Sequence, residues 1–489
     1  MLENRKDTVI TICLFCLAFV IRILLISKGP FHMDVLELAR NANKTLSTFN
    51  LHYMHWAGYP LTVILGSIFI FLTRLVGIND PVFSVNFMGV IFGSLSVGIF
   101  YIFSRKILDK PGALLSSLIL CFLPLHIYVS TIGLNHSVSI FFNLTGLYFL
   151  FLYLEKYKLN KLILSSLFLG LGAASRLTDG LIIFSAIFLY LLWSFRKPDI
   201  SRTAILKRLV LFLFIFGFTI FIFYMPMFLK SGISQFRSTL DIYYYYHSLK
   251  RLQASSIWIV DIIGIHGVIL FIAGLGYFLL ERKKTIFYFL LIWFLILFIY
   301  YGSHSTSCYR FLFFSIIPLL IMQGYYISKV FRRFKLLVPL LILVWVVFNF
   351  IEFFPIVKFR HNYNLQGEFA RFVQKNTEPG SYVIAMDEGP FIEYYAGRKI
   401  LYKATGPNKE KFDIFFSKVD KLLDESPPIY IISSGIYSYD PKKYFINTLS
   451  NNYNLDYIGK HINQDWYNPS IYHSGLFIEE LYKVEKKII

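Results

Sequence analysis

Charge is what this chain has least of. Asp, Glu, Lys and Arg make up 16% of its 489 residues, and mean hydropathy is +0.58. A soluble protein of that length needs far more polar surface to cover itself, so that class is excluded. Cysteine is nearly absent: Cys13, Cys16, Cys121 and Cys308 are too few and too scattered for a disulfide framework. Cys13 and Cys16 form a C-x-x-C inside an apolar run with no second pair, which reads as packing rather than zinc or redox chemistry. Acids are the scarcer sign, 29 against 48 basic residues, giving a net charge of +19. In a soluble domain that balance points to nucleic acid. Here most Lys and Arg collar the ends of apolar runs, where they set orientation and meet anionic head groups, and no nucleic-acid partner is expected.

What is abundant is apolar length. Twelve segments stand out: 8–27, 57–77, 82–104, 111–130, 134–154, 161–175, 180–195, 205–228, 257–280, 285–301, 309–328 and 336–355. They predict a polytopic α-helical membrane protein. The first is too long for a removed signal peptide and lacks a small-residue cleavage pattern, so it is expected to stay as a helix. Basic connectors around Arg105, Lys156, Arg196, Arg282 and Lys329 follow every second segment, which places them together on the cytoplasmic side with Arg5 and Lys6. Three crossings before Arg105 would put it opposite Arg5. Segment 57–77, with Pro60 near its start and Arg74 near its end, is therefore expected not to cross, leaving about eleven crossings and an external C-terminus. The outer loops become 28–56, 131–134, 176–179, 229–256 and 302–308. Segment 161–175 offers roughly 22 Å of helix against a hydrocarbon core of about 30 Å. The turn Arg176–Asp179 is thereby recessed to phosphate depth.

From about Phe359 the pattern alternates in an α/β manner. Helices are expected at 365–375, 409–423 and 441–450, and strands at 382–386, 399–402, 429–433, 455–460 and 475–481. A membrane domain over 1–358 and a small three-layer domain over 359–489 follow. The latter has neither G-x-G-x-x-G nor P-loop, so no nucleotide site is read there.

Between the first two apolar segments lies a polar interval, Lys28–Pro60, with Asp34, Glu37, His32, His52, His55, Trp56 and Tyr59. Apolar residues at Val35, Leu38, Ala42 and Leu46 predict a short helix at the membrane surface, with Asp34 and Glu37 at i,i+3 on one face. A lone loop carboxylate is most often just solvated. Asp34 differs in following the first membrane helix directly, amid aromatics and histidines, where it is placed to act on a lipid-linked substrate.

The order FHMD, HWAGYPLTVILGSIF, YIFSRKILDKPGALLSSLILCFLPLHIYVST and LFLGLGAASRLTDG resembles the integral-membrane GT-C glycosyltransferases, particularly the protein O-mannosyltransferase and lipid A aminoarabinose transferase group. The resemblance covers roughly residues 10–310, with weaker likeness in YVIAMDEGPFIEYYAGRKI. It implies inverting transfer from a polyprenyl-phosphate sugar on the outer or lumenal face, with the first-loop aspartate, here Asp34, as general base. Glu37 would support it. Arg176 and Arg310 match basic positions suited to the donor phosphate, and Tyr309 could donate to the same group. Each also has a plain reading, as a topology anchor or a member of the aromatic belt. His55 and Trp56 resemble the entry to the second segment and would shape the acceptor pocket, and His136 would position the sugar. In loop 229–256 the run Tyr243–Tyr246 and His247, beside Lys250 and Arg251, suits either a sugar stacked above an anionic lipid head or an interfacial aromatic belt. Two departures stand out: Asp34 lacks an adjacent second acid, and the second outer loop reads TIGLNHS, with Asn135 and His136 where an acid is common. Asp34, Glu37 and His136 suit a divalent cation by type, but their spacing commits to no metal.

The reading is thus a GT-C-like enzyme of the plasma membrane, or alternatively of the ER, with an extracytoplasmic C-terminal α/β domain. Asp34 and the two arginines are expected to share one pocket. The rivals are a lipid-linked-sugar transporter or flippase and an inactive scaffold. Transporters place ionisable groups at the midplane, whereas here they gather in the outer loops. Sugar and acceptor are not encoded in any motif.

Overall fold

The computed structural model describes all residues except 1, 55–57, 198–199, 246, 281–283, 305–308, 334–336, 405–408, 426, 438–439, 441, 468–473 and 488–489. His55, Trp56, Tyr246 and Cys308 lie outside the described residues. The chain divides into two compact units, Met1–Ile26 with Glu37–Val357, and Ser27–Leu36 with Lys358–Ile489.

The first unit is helical: α1 (Leu2–Leu24), the rest of α2 (Met33–Thr48), α3 (Pro60–Leu75), α4 (Pro81–Ser104), α5 (Lys110–Phe122), α6 (Pro124–Ser130), α7 (Asn135–Lys156), α8 (Leu159–Ser175), α9 (Ile182–Ser194), α10 (Arg202–Tyr245), α11 (Leu249–Leu280), α12 (Lys284–Ser303), α13 (Phe313–Arg333) and most of α14 (Leu337–Asn362). Among the described residues eight helices are long and apolar enough to cross a membrane, or nine if α5 and α6 form one span. The count covers the described residues alone; α8, with 17 residues, falls among the shorter apolar helices, as anticipated.

Two expectations are corrected. Segment 111–130 is not one helix: Pro124 removes a backbone donor, and α5 and α6 meet at a 59° bend. The presumed loop 229–256 is largely helix, with α10 running to Tyr245 and α11 beginning at Leu249. The turning points lie instead inside these helices, at Gly232 and Gly264, each with φ near +70° that glycine alone adopts freely.

Helices α1 and α4 run antiparallel. Asp7 meets Tyr101 and Arg105, Thr11 faces Gly98, and Arg22 lies beside Gly93. The end of α1 and the start of α4 therefore lie at the same end of the unit, so α2 and α3 together make no net passage. This agrees with the exclusion of segment 57–77 from the crossings. Gly66 of α3 lets the two pack closely, since a Cβ there would stand 3.0 Å from Ala42.

In the second unit the sheet has the order β2-β1-β3-β5-β4, from β1 (Tyr382–Ala385), β2 (Lys399–Tyr402), β3 (Ile429–Ile432), β4 (Tyr453–Tyr467) and β5 (Ser474–Lys486). The first three are parallel, while β5 pairs antiparallel with β3 and β4. Side chains alternate across the sheet. Ile384, Ile429 and Ile431 pack under α17 (Lys409–Asp424) and α18 (Tyr444–Asn452). Val383, Ala385 and Ile432 pack under α15 (Leu365–Lys375) and α16 (Gly389–Ala396). This is the expected three-layer arrangement.

Candidate active site

In the first unit α8 stops at Ser175, and Arg176 takes an extended conformation before a 3-10 turn, Leu177–Leu181. The turn brings Asp179 back to Arg176, whose Nη1 donates to Oδ1 at 3.1 Å. Both are buried, with side-chain exposures of 3% and 1%. Asp179 also accepts from Tyr301 at 2.6 Å and from Ser139 at 2.7 Å, so its charge is held by three donors. Arg176 lies 4.7 Å from the Tyr301 ring centroid and 4.9 Å from that of Phe311, and these two rings are nearly parallel. A guanidinium lying over two aromatic rings is held electrostatically and cannot swing freely.

Phe311 collects the other groups. His136 stacks on it at 5.9 Å, and the half-buried Arg310 reaches over it at 5.1 Å. His136 is seated because α4 offers glycine where the preceding turn approaches. A Cβ on Gly89 would lie 2.5 Å from the Ile132 carbonyl, and Asn86 accepts from Gly133 N–H at 2.7 Å. Arg176, Arg310 and His136 thus share one ring.

Tyr309 and His247 are engaged beside this cluster. The Tyr309 hydroxyl donates to Asp261 at 2.8 Å, and its ring stacks on Trp258, over which Arg251 also lies. His247 lies 2.6 Å from Ser303 Oγ and 5.4 Å from the Tyr300 ring.

The predicted acid lies in the second unit. The Asp34 carboxylate is 3.3 Å from His32 Nδ1, both side chains being about one-fifth exposed. Immediately before them Phe31 has φ 55°, a left-handed conformation that costs a non-glycine residue about 1–3 kcal/mol. It is held by its surroundings: the ring packs on Phe359 beneath Arg360, and Gln366 donates to its carbonyl at 3.2 Å. Gly29 is needed because a Cβ there would overlap the Asn364 side chain, 2.2 Å away. Glu37, one turn on in α2, is partly buried and belongs to the first unit.

Sequence reasoning did not select His32, Asp179, Tyr301 or Phe311. His32 carried the signal of two-residue spacing from Asp34, and Asp179 stood in SRLTDG at i+3 from Arg176. Tyr301 and Phe311 carried none, in a chain with 19% aromatics. A second oversight is Arg22, fully buried near the end of α1. It donates to Ser130 at 2.8 Å and to the carbonyls of Ala18 and Cys121, and lies 2.8 Å from His126 Nδ1. It bridges the α5–α6 bend where Pro124 interrupts the ladder. Among the described residues no three His, Cys, Asp or Glu side chains stand close enough to hold a metal.

The family profile described as dolichyl-phosphate-mannose-protein mannosyltransferase matches residues 64–224. No curated protein matches the sequence. The ArnT structure from Cupriavidus metallidurans bound to undecaprenyl phosphate aligns at TM-score 0.61 and 9% identity, over 97% of each chain. The Archaeoglobus fulgidus oligosaccharyltransferase tethered to an acceptor peptide aligns at TM-score 0.58 and 14% identity, over 97% of this chain and 74% of that one. The same archaeal enzyme, AglB, with an inhibitory peptide and a dolichol-phosphate, aligns at TM-score 0.58 and 13% identity with the same coverage. The chain therefore has the fold of the GT-C integral-membrane glycosyltransferases, and the resemblance expected from its motifs is borne out.

Proposed function

We propose that this protein transfers a sugar from a polyprenyl-phosphate carrier to an envelope lipid, glycan or protein acceptor on the outer face of the membrane, with inversion. The observation that carries the proposal is the fold shared with two enzymes solved with polyprenyl-type phosphates, joined to a cationic and aromatic cluster at Phe311. Asp34 takes the acceptor hydroxyl proton as that oxygen bonds to the anomeric carbon, and the carrier phosphate leaves with the electron pair of the broken C–O bond. His32, whose Nδ1 accepts from the Asp34 N–H at 3.1 Å, fixes the backbone that carries this carboxylate, and Glu37 supports it. The phosphate gains charge as it leaves and needs fixed donors. Arg310, half-exposed, contacts it. Arg176, already bonded to Asp179, contributes its field from behind and keeps Phe311 and Tyr301 in place.

Residues 1–358 carry the catalysis in this reading, and 359–489 form the extracytoplasmic domain. The test is purified full-length protein given a polyprenyl-phosphate sugar and scored for transfer or hydrolysis. Asp34→Asn should lower turnover by about 10²–10⁴ while donor binding persists. A folded Asp34→Asn protein with near-normal transfer would refute the assignment.

A further inference from the structure

We propose a second lipid site, at the end of α1, α4 and α7 opposite the Phe311 cluster, that takes the phosphate of an anionic phospholipid. His136 opens α7 at the cluster, whereas Tyr148 lies twelve residues further along the same helix, toward Lys156. There the first turns of α1, the last turn of α4 and Tyr148 enclose a cavity of about 580 Å³. Its polar wall is formed by Asp7, Thr8, Thr11, Arg105, Lys106 and Tyr148, with Ile12 and Ile102 as the apolar flank. Hydroxyls beside two cations suit a phosphodiester oxygen, and the isoleucines suit the glycerol and first methylenes.

The cations are positioned rather than consumed. Asp7 is shared between the Tyr101 hydroxyl at 2.6 Å and Arg105 at 3.4 Å, and the Arg105 and Lys106 side chains remain 23% exposed. Lys106 is steadied by both oxygens of Glu155, at 2.9 and 3.1 Å. Around the cavity the stretches 5–7, 105–110 and 155–161 hold eight Lys or Arg against three acids. Each such cation near an anionic surface adds to the attraction for an anionic head group. A lane for the acyl chains continues from the cavity. Val9, Ile12 and Val20 of α1 are 58%, 56% and 50% exposed, at spacings that share one helical face.

The experiment uses full-length protein in phosphatidylcholine bilayers with and without phosphatidylglycerol, followed by native mass spectrometry of the retained lipid. The wild type should retain phosphatidylglycerol about tenfold over phosphatidylcholine, a difference of about 1.4 kcal/mol. Lys106→Gln should reduce that preference several-fold. Ile12→Trp, at an exposed rim position away from the ion pairs, should fill the cavity and bring the two lipids near parity with the melting temperature unchanged. Equal retention by the wild type would overturn the proposal, as would an Ile12→Trp protein with its preference intact. Inorganic phosphate displacing the lipid at equal concentration would make this a free-anion site and overturn the lipid assignment. None of these readouts depends on sugar transfer.

Discussion

Removing the Asp179 carboxylate would leave Arg176 charged, buried and short of its counter-ion. Breaking one half of such a pair costs about 3–5 kcal/mol. Asp179→Asn is therefore expected to lower the melting temperature of the detergent-solubilised protein by many degrees, whatever its effect on transfer. Arg310 differs in being only partly buried as a residue, with its guanidinium over the Phe311 ring. Arg310→Gln should leave thermal stability near wild type and raise the donor KM several-fold. Unchanged KM would remove Arg310 from the donor site. Arg176, Arg310 and His136 were legible because cations and imidazoles are rare in an apolar chain. Phe311, the ring that joins them, was not, since one phenylalanine among 52 has no signature.

Helix contacts depend on where side chains are missing. Gly89 sits where α4 touches the turn before His136, and a methyl group there would lie 2.5 Å from a backbone carbonyl that has little room to retreat. Overpacking of this kind costs about 1–3 kcal/mol. Gly89→Ala should lower both stability and transfer, whereas alanine at Gly276, with nothing within 4 Å of its Cβ position, should change neither; thermal melts and turnover of the two variants check this. Element positions were largely readable from hydropathy, and α15 and β2 match their expected bounds. The α5–α6 bend was missed although Pro124 was in plain view, because the apolar run continues unbroken through it. Strands β4 and β5 extend well past their expected ends. The β4 continuation carries Asn463, Gln464 and Asp465 and that of β5 carries Lys483, Glu485 and Lys486, and cross-strand pairing sustains both where alternation fades.

At the scale of the whole molecule, the second unit contains a pH-sensitive clasp. Glu388, at the start of α16, accepts from Ser434 at 3.0 Å, and Glu479 of β5 accepts from Ser433 at 2.7 Å and from the Ser434 N–H at 3.1 Å. Burial and the neighbouring Glu479 carboxylate push Glu388 up to about 7, with Asp387 adding to the shift. Burial raises Glu479 as well. The folded state thus holds a proton that the unfolded chain releases near pH 4.5. This contribution is fully present below about pH 4.5 and is lost as pH rises through about 7, with a size of about 3 kcal/mol for Glu388. Thermal unfolding of the full-length protein should show this unit less stable at about pH 8 than at about pH 6. Glu388→Gln should flatten the difference; an unchanged slope would remove Glu388 as its source.

The grouping of Ser27–Leu36 with Lys358–Ile489 changes what the C-terminal region is for. The backbone N–H of Lys28 donates to the Arg360 carbonyl, Gly29 fits against Asn364, and Phe31 nests on Phe359. A protein shortened before Lys358 would keep Asp34 in its sequence yet lose the housing that bends the chain at Phe31. Chimeras that exchange this terminal region between relatives would exchange the seat of the proposed base as well, so their changes in turnover belong to chemistry as much as to acceptor choice.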